Sequence, residues 1–136
     1  DSHIRIDLAE DIRLLEYGRR LAERPRNVLA QPGGWTGRRL FDTALTGSAR
    51  ALQQPSGRIE TGARADFVVL DKDDPTLVGR TGDDRLDSWL FTGDSRLVSD
   101  VWVGGKHVVR GGRALCRDAV NSAYAKAVTD IMQAVD

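Results

Sequence analysis

The stretch Gly57-Arg58-Ile59-Glu60-Thr61-Gly62-Ala63-Arg64-Ala65-Asp66-Phe67-Val68-Val69-Leu70-Asp71 decides how this chain is read. Before it, apolar residues recur at steps of three and four; after it, they come in short β-rich runs between glycines. The apolar run from Phe67 to Leu70, bounded by aspartates, has the pattern of a buried strand. Residues Gly62 to Ala65 read as a turn, and Asp66 offers a carboxylate that can tie the strand start to neighbouring backbone. Further on, Leu97 to Val103 and Val108-Val109 flank Gly104-Gly105-Lys106, the spacing of a tight hairpin whose glycines permit the turn. A polar loop is expected from Asp73 to about Asp87, a short strand over Ser88 to Phe91, and a chain break at Gly111-Gly112.

Outward from this β-rich centre the periodicity becomes helical. Asp7 to Arg24 carries Leu8, Ile12, Leu15, Gly18 and Ala22 on one stripe, widened by Leu14 and Leu21. Asp7 stands in the N-cap position with Glu10 three residues on, and Pro25 ends the hydrogen-bond ladder. After the turn at Pro32-Gly33-Gly34, a second helix is expected from about Arg38 to Gln54, burying Phe41, Ala44, Leu45, Ser48, Ala49 and Leu52. A third, from Asp118 to Val135, has Val120, Tyr124, Ala127, Val128, Ile131 and Val135 on one face. The expected order is two helices, a small antiparallel β module and a closing helix, without internal repeats.

Composition narrows the functional classes. The 136 residues hold 20 basic and 20 acidic side chains, so the net charge is zero. Neutrality gives no electrostatic reason to expect nucleic acid or an anionic membrane as partner. No apolar run approaches the length of a membrane span. The single cysteine, Cys116, can form no internal disulfide, which suits a cytoplasmic setting. The chain opens on Asp1-Ser2-His3-Ile4-Arg5-Ile6 with no Met and no cap ahead of it, and reads as entered part-way through a longer polypeptide.

Two stretches carry a family likeness. Residues 57–71, together with Val101 to Val109 and Gly111-Gly112-Arg113, are similar to the end of amidohydrolase-superfamily enzymes. The opening Asp1-Ser2-His3-Ile4-Arg5-Ile6-Asp7, continuing through Glu10-Asp11-Ile12 into Arg13-Leu14-Leu15-Glu16-Tyr17, resembles the segment leaving the last barrel strand of formimidoylglutamate deiminases. The resemblance implies an α/β fold: the C-terminal part of a metal-dependent (β/α) barrel plus its small β-sandwich. Residues 1–54 would end the barrel, 55–115 would belong to the sandwich, and 116–136 would form a helix packed back on the body. It implies that Asp1 is a metal ligand and moves protons, with Ser2 and His3 lining a substrate site. It also implies one divalent metal, most naturally zinc, a small-molecule substrate and a homodimer. The expected reaction is hydrolytic deimination of N-formimino-L-glutamate in histidine breakdown, by attack of a metal-activated water on the formimino carbon.

The chain departs from that pattern in one respect. It has two histidines, His3 and His107, far apart, and no His-x-His pair, so other ligands are expected outside it and the chain alone is expected to be inactive. Competing readings remain at each position. Asp1 reads equally as a solvated terminal residue, and His3 as a loop histidine bonded to backbone. His107 is expected to be exposed, Asp66 structural, Arg38-Arg39 a surface pair, and Cys116 inert for want of a neighbouring base. Trp89 and Trp102, placed in strand patterns, are expected to pack rather than to bind, and Gly79-Arg80-Thr81-Gly82 lacks the ending a phosphate loop needs. Two rival functions stand beside the deiminase: a guanine, cytosine or methylthioadenosine type deaminase, and a non-catalytic β-sandwich module.

Overall fold

A computed structural model describes residues 4–135. Helix α1 (Leu8–Glu23) and helix α2 (Thr36–Leu52) come first, then strand β1 (Phe67–Leu70) and helix α3 (Asp84–Thr92). A 3₁₀ turn at Ser95–Leu97 leads into β2 (Val98–Val103), β3 (Lys106–Arg110), β4 (Arg113–Ala114) and helix α4 (Arg117–Val135). The four strands form one antiparallel sheet in the order β1-β2-β3-β4.

Helix α1 forms where the sequence places it. Asp7, extended at φ −140°, caps it, and Arg24, in the left-handed region at φ 67°, ends it just before Pro25. The buried face differs from the expected stripe: Ala9, Ile12 and Glu16 face the interior, while Leu8, Leu15 and Leu21 are exposed. Helix α2 turns Thr36, Gly37 and Leu40 fully inward, and Phe41, Ala44 and Leu45 are half-buried, whereas Ser48 and Leu52 lie outside.

The expected strand at Ser88–Phe91 is a correction: these residues belong to α3. Leu86, Trp89 and Leu90 stand at helical spacing and all pack toward the core, and Asp84 and Asp87 sit in the first turn, where the helix dipole favours anions. The polar loop accordingly ends at Asp83. Trp89 is a core residue as expected, but on a helix, its ring 5.7 Å from that of Phe41, edge to face.

The β hairpin follows the sequence reading. Val103 pairs with Lys106 across Gly104 and Gly105, whose φ values of 56° and 77° are those of a two-residue turn only glycine adopts freely. The β2–β3 pairing slips by one residue: Val101 faces Val109, but Trp102 faces His107, leaving Val108 as a bulge.

The interior lies among the helices and the loops that join them. Ala9, Ile12, Leu40, Leu77, Trp89, Leu90 and Leu97 form the buried core, and none of them lies in a strand. In the sheet, Phe67, Val68, Val69 and Val103 are exposed and the other apolar residues are half-buried. Helix α4 forms over nearly the expected residues, and among the described residues none of its side chains is buried. Among the described residues there is a mixed assembly of helices and one four-stranded sheet.

Candidate functional site

Helix α1 comes directly after the segment that the sequence marks for chemistry, and Asp7 stands at its start as the N-cap. Asp7 is buried; its Oδ1 accepts from the Ala9 N–H at 2.9 Å and the Glu10 N–H at 3.4 Å, while Oδ2 accepts from the Ser95 N–H at 3.0 Å. One carboxylate therefore caps the helix and joins it to a turn 88 residues away. Burial pushes the Asp7 carboxyl up, but the N–H groups of Ser95, Glu10 and Ala9 outweigh it and hold it below the ordinary carboxylate value. Arg5 stands over this cap, 3.6 Å from Glu10 and 3.9 Å from Asp7. Asp1, Ser2 and His3, the residues assigned from resemblance to metal, proton transfer and substrate, lie outside the described residues.

Three residues of the Arg13-to-Tyr17 stretch bind α1 to its surroundings. Arg13 donates from Nε to the Leu90 carbonyl and from Nη2 to the Gly93 carbonyl, both at 2.7 Å, satisfying carbonyls at the end of α3. Glu16 is fully buried. It accepts from Arg20 Nε at 2.7 Å and from the N–H groups of Val28 and Leu29 at 2.9 and 3.0 Å, so a charged side chain orders the loop after α1. Tyr17 packs near Phe91, and Arg20 lies 5.5 Å from both ring centres. Sequence reasoning missed these clamps; the Glu16–Arg20 spacing of four was the available signal.

Helices α2 and α3 meet backbone to side chain. The Gly37 N–H donates to Asp87 Oδ1, and a Cβ at position 37 would lie 2.8 Å from the Asp87 nitrogen and 2.9 Å from the Leu86 carbonyl carbon. Burial raises the Asp87 carboxyl, the Gly37 bond opposes it, and the nearby charges of Asp84 and Asp83 push it further up. Arg38 bonds Asp83 at 2.8 Å and Asp42 at 3.0 Å, and so holds the two helices together rather than lying free on the surface.

On the sheet, Phe67, Trp102 and His107 stack in series, with centroid distances of 4.9 and 4.1 Å. His107 Nε2 lies 2.8 Å from Asp100 Oδ1 and Nδ1 lies 3.3 Å from Arg110 Nη2. The expected exposed turn histidine is thus a half-buried member of a polar network. The Ser99 hydroxyl first, and then His107, hold the Asp100 carboxyl below its ordinary value. Asp66 is structural as expected: its Oδ1 accepts from the Gly104 N–H at 2.6 Å and from Arg64 Nε at 3.0 Å. Cys116 is exposed.

Between the helices and the sheet lies an open cleft of about 590 Å³, lined among others by Leu8, Phe41, Leu45, Val68, Trp89 and Val101. Its walls are mainly apolar, and Arg38 and Asp42 reach it already bonded to each other. Among the described residues no group of three or more His, Cys, Asp or Glu side chains is placed to hold a metal ion. His107 and Asp100 supply two donors that already satisfy one another, so the described residues do not fit a metal centre by themselves. Nor does any helix among them have the length and apolarity to cross a membrane. What the polar side chains of α1 do is join that helix to Ser95 and to the end of α3.

Comparison with known proteins agrees with the family likeness. A model described as the amidohydrolase family matches residues 2–108. The chain belongs to the amidohydrolase family. Among its relatives, formimidoylglutamate deiminase of Pseudomonas aeruginosa is 44% identical over 135 residues, covering 97% of this chain and 29% of that enzyme. The 5'-deoxyadenosine deaminase of Methanococcus maripaludis is 30% identical over 93 residues, 68% of this chain and 21% of that protein. The crystal structure of an amidohydrolase from Brucella melitensis superposes with a TM-score of 0.82 at 40% identity, over 97% of this chain and 29% of that one. The chain therefore spans less than a third of the length of these relatives.

Amidohydrolase membership gives the clamps their setting. The family match includes α1, α2, α3 and the β2–β3 turn, and stops before the end of β3. Asp7, Arg13, Glu16, Asp87 and Asp66 all fall inside it, and each holds backbone in place rather than facing the cleft with a free acid or base.

Proposed function

We propose that this chain is part of a formimidoylglutamate deiminase, which hydrolyses N-formimino-L-glutamate to N-formyl-L-glutamate and ammonia as a step in histidine degradation. The observation that carries the reading is the 44% identity over almost the whole chain to a relative of that name. It is reinforced by the Arg13-to-Tyr17 segment, in which the residues that point to the deiminase branch also fasten α1. In the reaction water adds to the formimino carbon, the bond from that carbon to the terminal nitrogen breaks, and ammonia leaves with protons from water.

In this proposal residues 1–54 close a (β/α) barrel, residues 55–115 contribute to a β-sandwich, and residues 116–136 form a terminal helix. Asp1 is the metal donor and proton carrier of this chain, and Ser2 and His3 contact the substrate. The metal, zinc by preference, would supply a more acidic bound water; its remaining donors belong to polypeptide other than these 136 residues, and without them the chain is inactive. A cytoplasmic location follows from the substrate's place in amino-acid catabolism.

The test is made on the full-length enzyme. Ammonia release from N-formimino-L-glutamate is expected, and Asp1→Asn is expected to lower kcat by at least about 100-fold, the scale on which a positioned acid–base group acts, while melting stays unchanged. Full activity in Asp1→Asn would remove the assignment of Asp1. A second reading is favoured by the 30% identity to a 5'-deoxyadenosine deaminase. Deamination of 5'-deoxyadenosine or guanine, with formiminoglutamate untouched, would establish it instead.

A further inference from the structure

His107 sits between two partners of opposite sign. Its Nε2 lies 2.8 Å from Asp100 Oδ1 and its Nδ1 lies 3.3 Å from Arg110 Nη2. A guanidinium can only donate, and an ionised carboxylate can only accept. The Ser99 hydroxyl first, then His107 and the Gly111 N–H, favour the ionised form of Asp100. The two partners therefore fix the tautomer: Nε2 carries the proton and donates it to Asp100, while Nδ1 offers its lone pair to Arg110.

The neutral ring is the one state in which both bonds exist. A further proton would go to Nδ1, the ring nitrogen left bare, and would set an N–H against the N–H of Arg110. The bond would become a repulsion between two cations 3.3 Å apart. The rest of the surroundings favours the charged ring. Asp100 keeps its bond and gains an opposite charge. The indole of Trp102 lies 4.1 Å from the imidazole, centre to centre, at an interplanar angle of 2°, a geometry in which an aromatic face attracts a cation. Charging thus holds the ring in place and displaces Arg110.

The other charged groups nearby are already matched or lie beyond Arg110. Strand β1 sets Phe67 behind the indole, and beside the β2–β3 turn Arg64 pairs with Asp66. Strand β4 brings Arg113 directly opposite Arg110, and like charges in facing positions repel. Arg113 is in turn paired with Asp118 in the first turn of α4. A guanidinium released from His107 therefore meets a like charge at the β3–β4 end of the sheet.

We propose that His107 is a proton-operated latch on Arg110: the neutral ring holds the guanidinium, and the charged ring stays on Trp102 and Asp100 and lets it go, loosening the β3–β4 end of the sheet. Imidazole is the side chain whose ordinary titration falls between about pH 5 and pH 8, so the latch works near neutrality. It is independent of the reaction proposed above.

The test follows ring-labelled histidine in the full-length protein by NMR, with His107→Gln identifying the signal by its loss. Above the midpoint of its titration, the nitrogen shifts of His107 are expected to place the proton on Nε2. Arg110→Ala is expected to raise that midpoint by about half to one pH unit, the scale of one hydrogen bond, and Asp100→Asn to lower it. Crystal structures of the wild type well above and well below the midpoint are expected to show Arg110 on Nδ1 in the first and away from it in the second, with the imidazole on the indole in both. In His107→Gln, whose amide can accept from Arg110 and donate to Asp100 without titrating, Arg110 is expected to stay in place at both pH values. A proton on Nδ1 above the midpoint, a midpoint unmoved by Arg110→Ala, or an Arg110 that keeps its place below the midpoint would overturn the proposal. So would a ring that does not titrate between about pH 5 and pH 8, or release of Arg110 in His107→Gln, which would put the decisive proton on another group. If Arg110→Ala fails to fold, the tautomer and the two wild-type structures decide.

Discussion

The helical layer and the sheet solve the problem of burial differently. The layer of α1, α2 and α3, joined by Leu77 from the loop after β1 and Leu97 from the 3₁₀ turn, contains the buried core of the described residues, and its polar groups are spent internally: Asp7 on Ser95, Arg13 on the end of α3, Glu16 on Val28 and Leu29. The sheet is regular and well paired, yet none of its apolar side chains is fully buried. Hydrogen bonding alone thus gives strand pairing, while a core needs a second surface, and among the described residues the helical layer has one.

That contrast can be broken most directly by emptying one core position on each side. Leu90 is completely buried, so Leu90→Ala is expected to cost about 2–5 kcal/mol, the range for a buried leucine that leaves a cavity. Val101, half-buried over the cleft, is expected to cost under about 1 kcal/mol as Val101→Ala in the 136-residue chain, since less area leaves water. Urea unfolding of both variants measures the two; equal losses would mean that the sheet has a core of its own.

A smaller effect sharpens the role of the clamps. Asp7→Ala removes a helix cap and leaves the Ser95 N–H without its partner, an expected loss of about 2 kcal/mol near neutral pH. The Asp7 carboxyl is held below its ordinary value of 3.8 in the folded chain. Its contribution is therefore present above that value and lost as pH falls through the lower folded one. The gap between wild type and variant should close on the acid side of pH 4, and a gap that stays constant there would count against an ionised cap.

The smallest expected effect has the opposite sign. Asp87 is raised by burial, so what it contributes is present at low pH and lost as pH rises through its folded value. Asp87→Asn keeps an acceptor for the Gly37 N–H without the charge, and a gain of under about 1 kcal/mol is expected at pH 7, with none at pH 3. Thermal melts at the two pH values decide it.

Much of this was legible in the chain. The cap at Asp7, the stop at Pro25, strand β1 and the Gly104-Gly105 turn are local events, fixed by residues a few positions apart. Helix α3 was not: Ser88-Trp89-Leu90-Phe91 is an apolar run too short to show a period, and only Asp84, Leu86 and Asp87 before it give the helical register. The long-range clamps were also out of reach, because Asp7 and Ser95, or Arg13 and Leu90, become partners only after the chain has folded. Asp1, Ser2 and His3 lie outside the described residues, so what was read at those positions stands as a proposal.

The ring-on-ring contact of the sheet is set by its turn. With two residues between Val103 and Lys106, the next pair outward is Trp102 with His107, and the extra position at Val108 comes only beyond it, before Val101 meets Val109. Removing that position would leave indole on imidazole, whereas one residue added between Gly104 and Gly105 would slip the two strands and part the rings while every side chain involved remained in the protein.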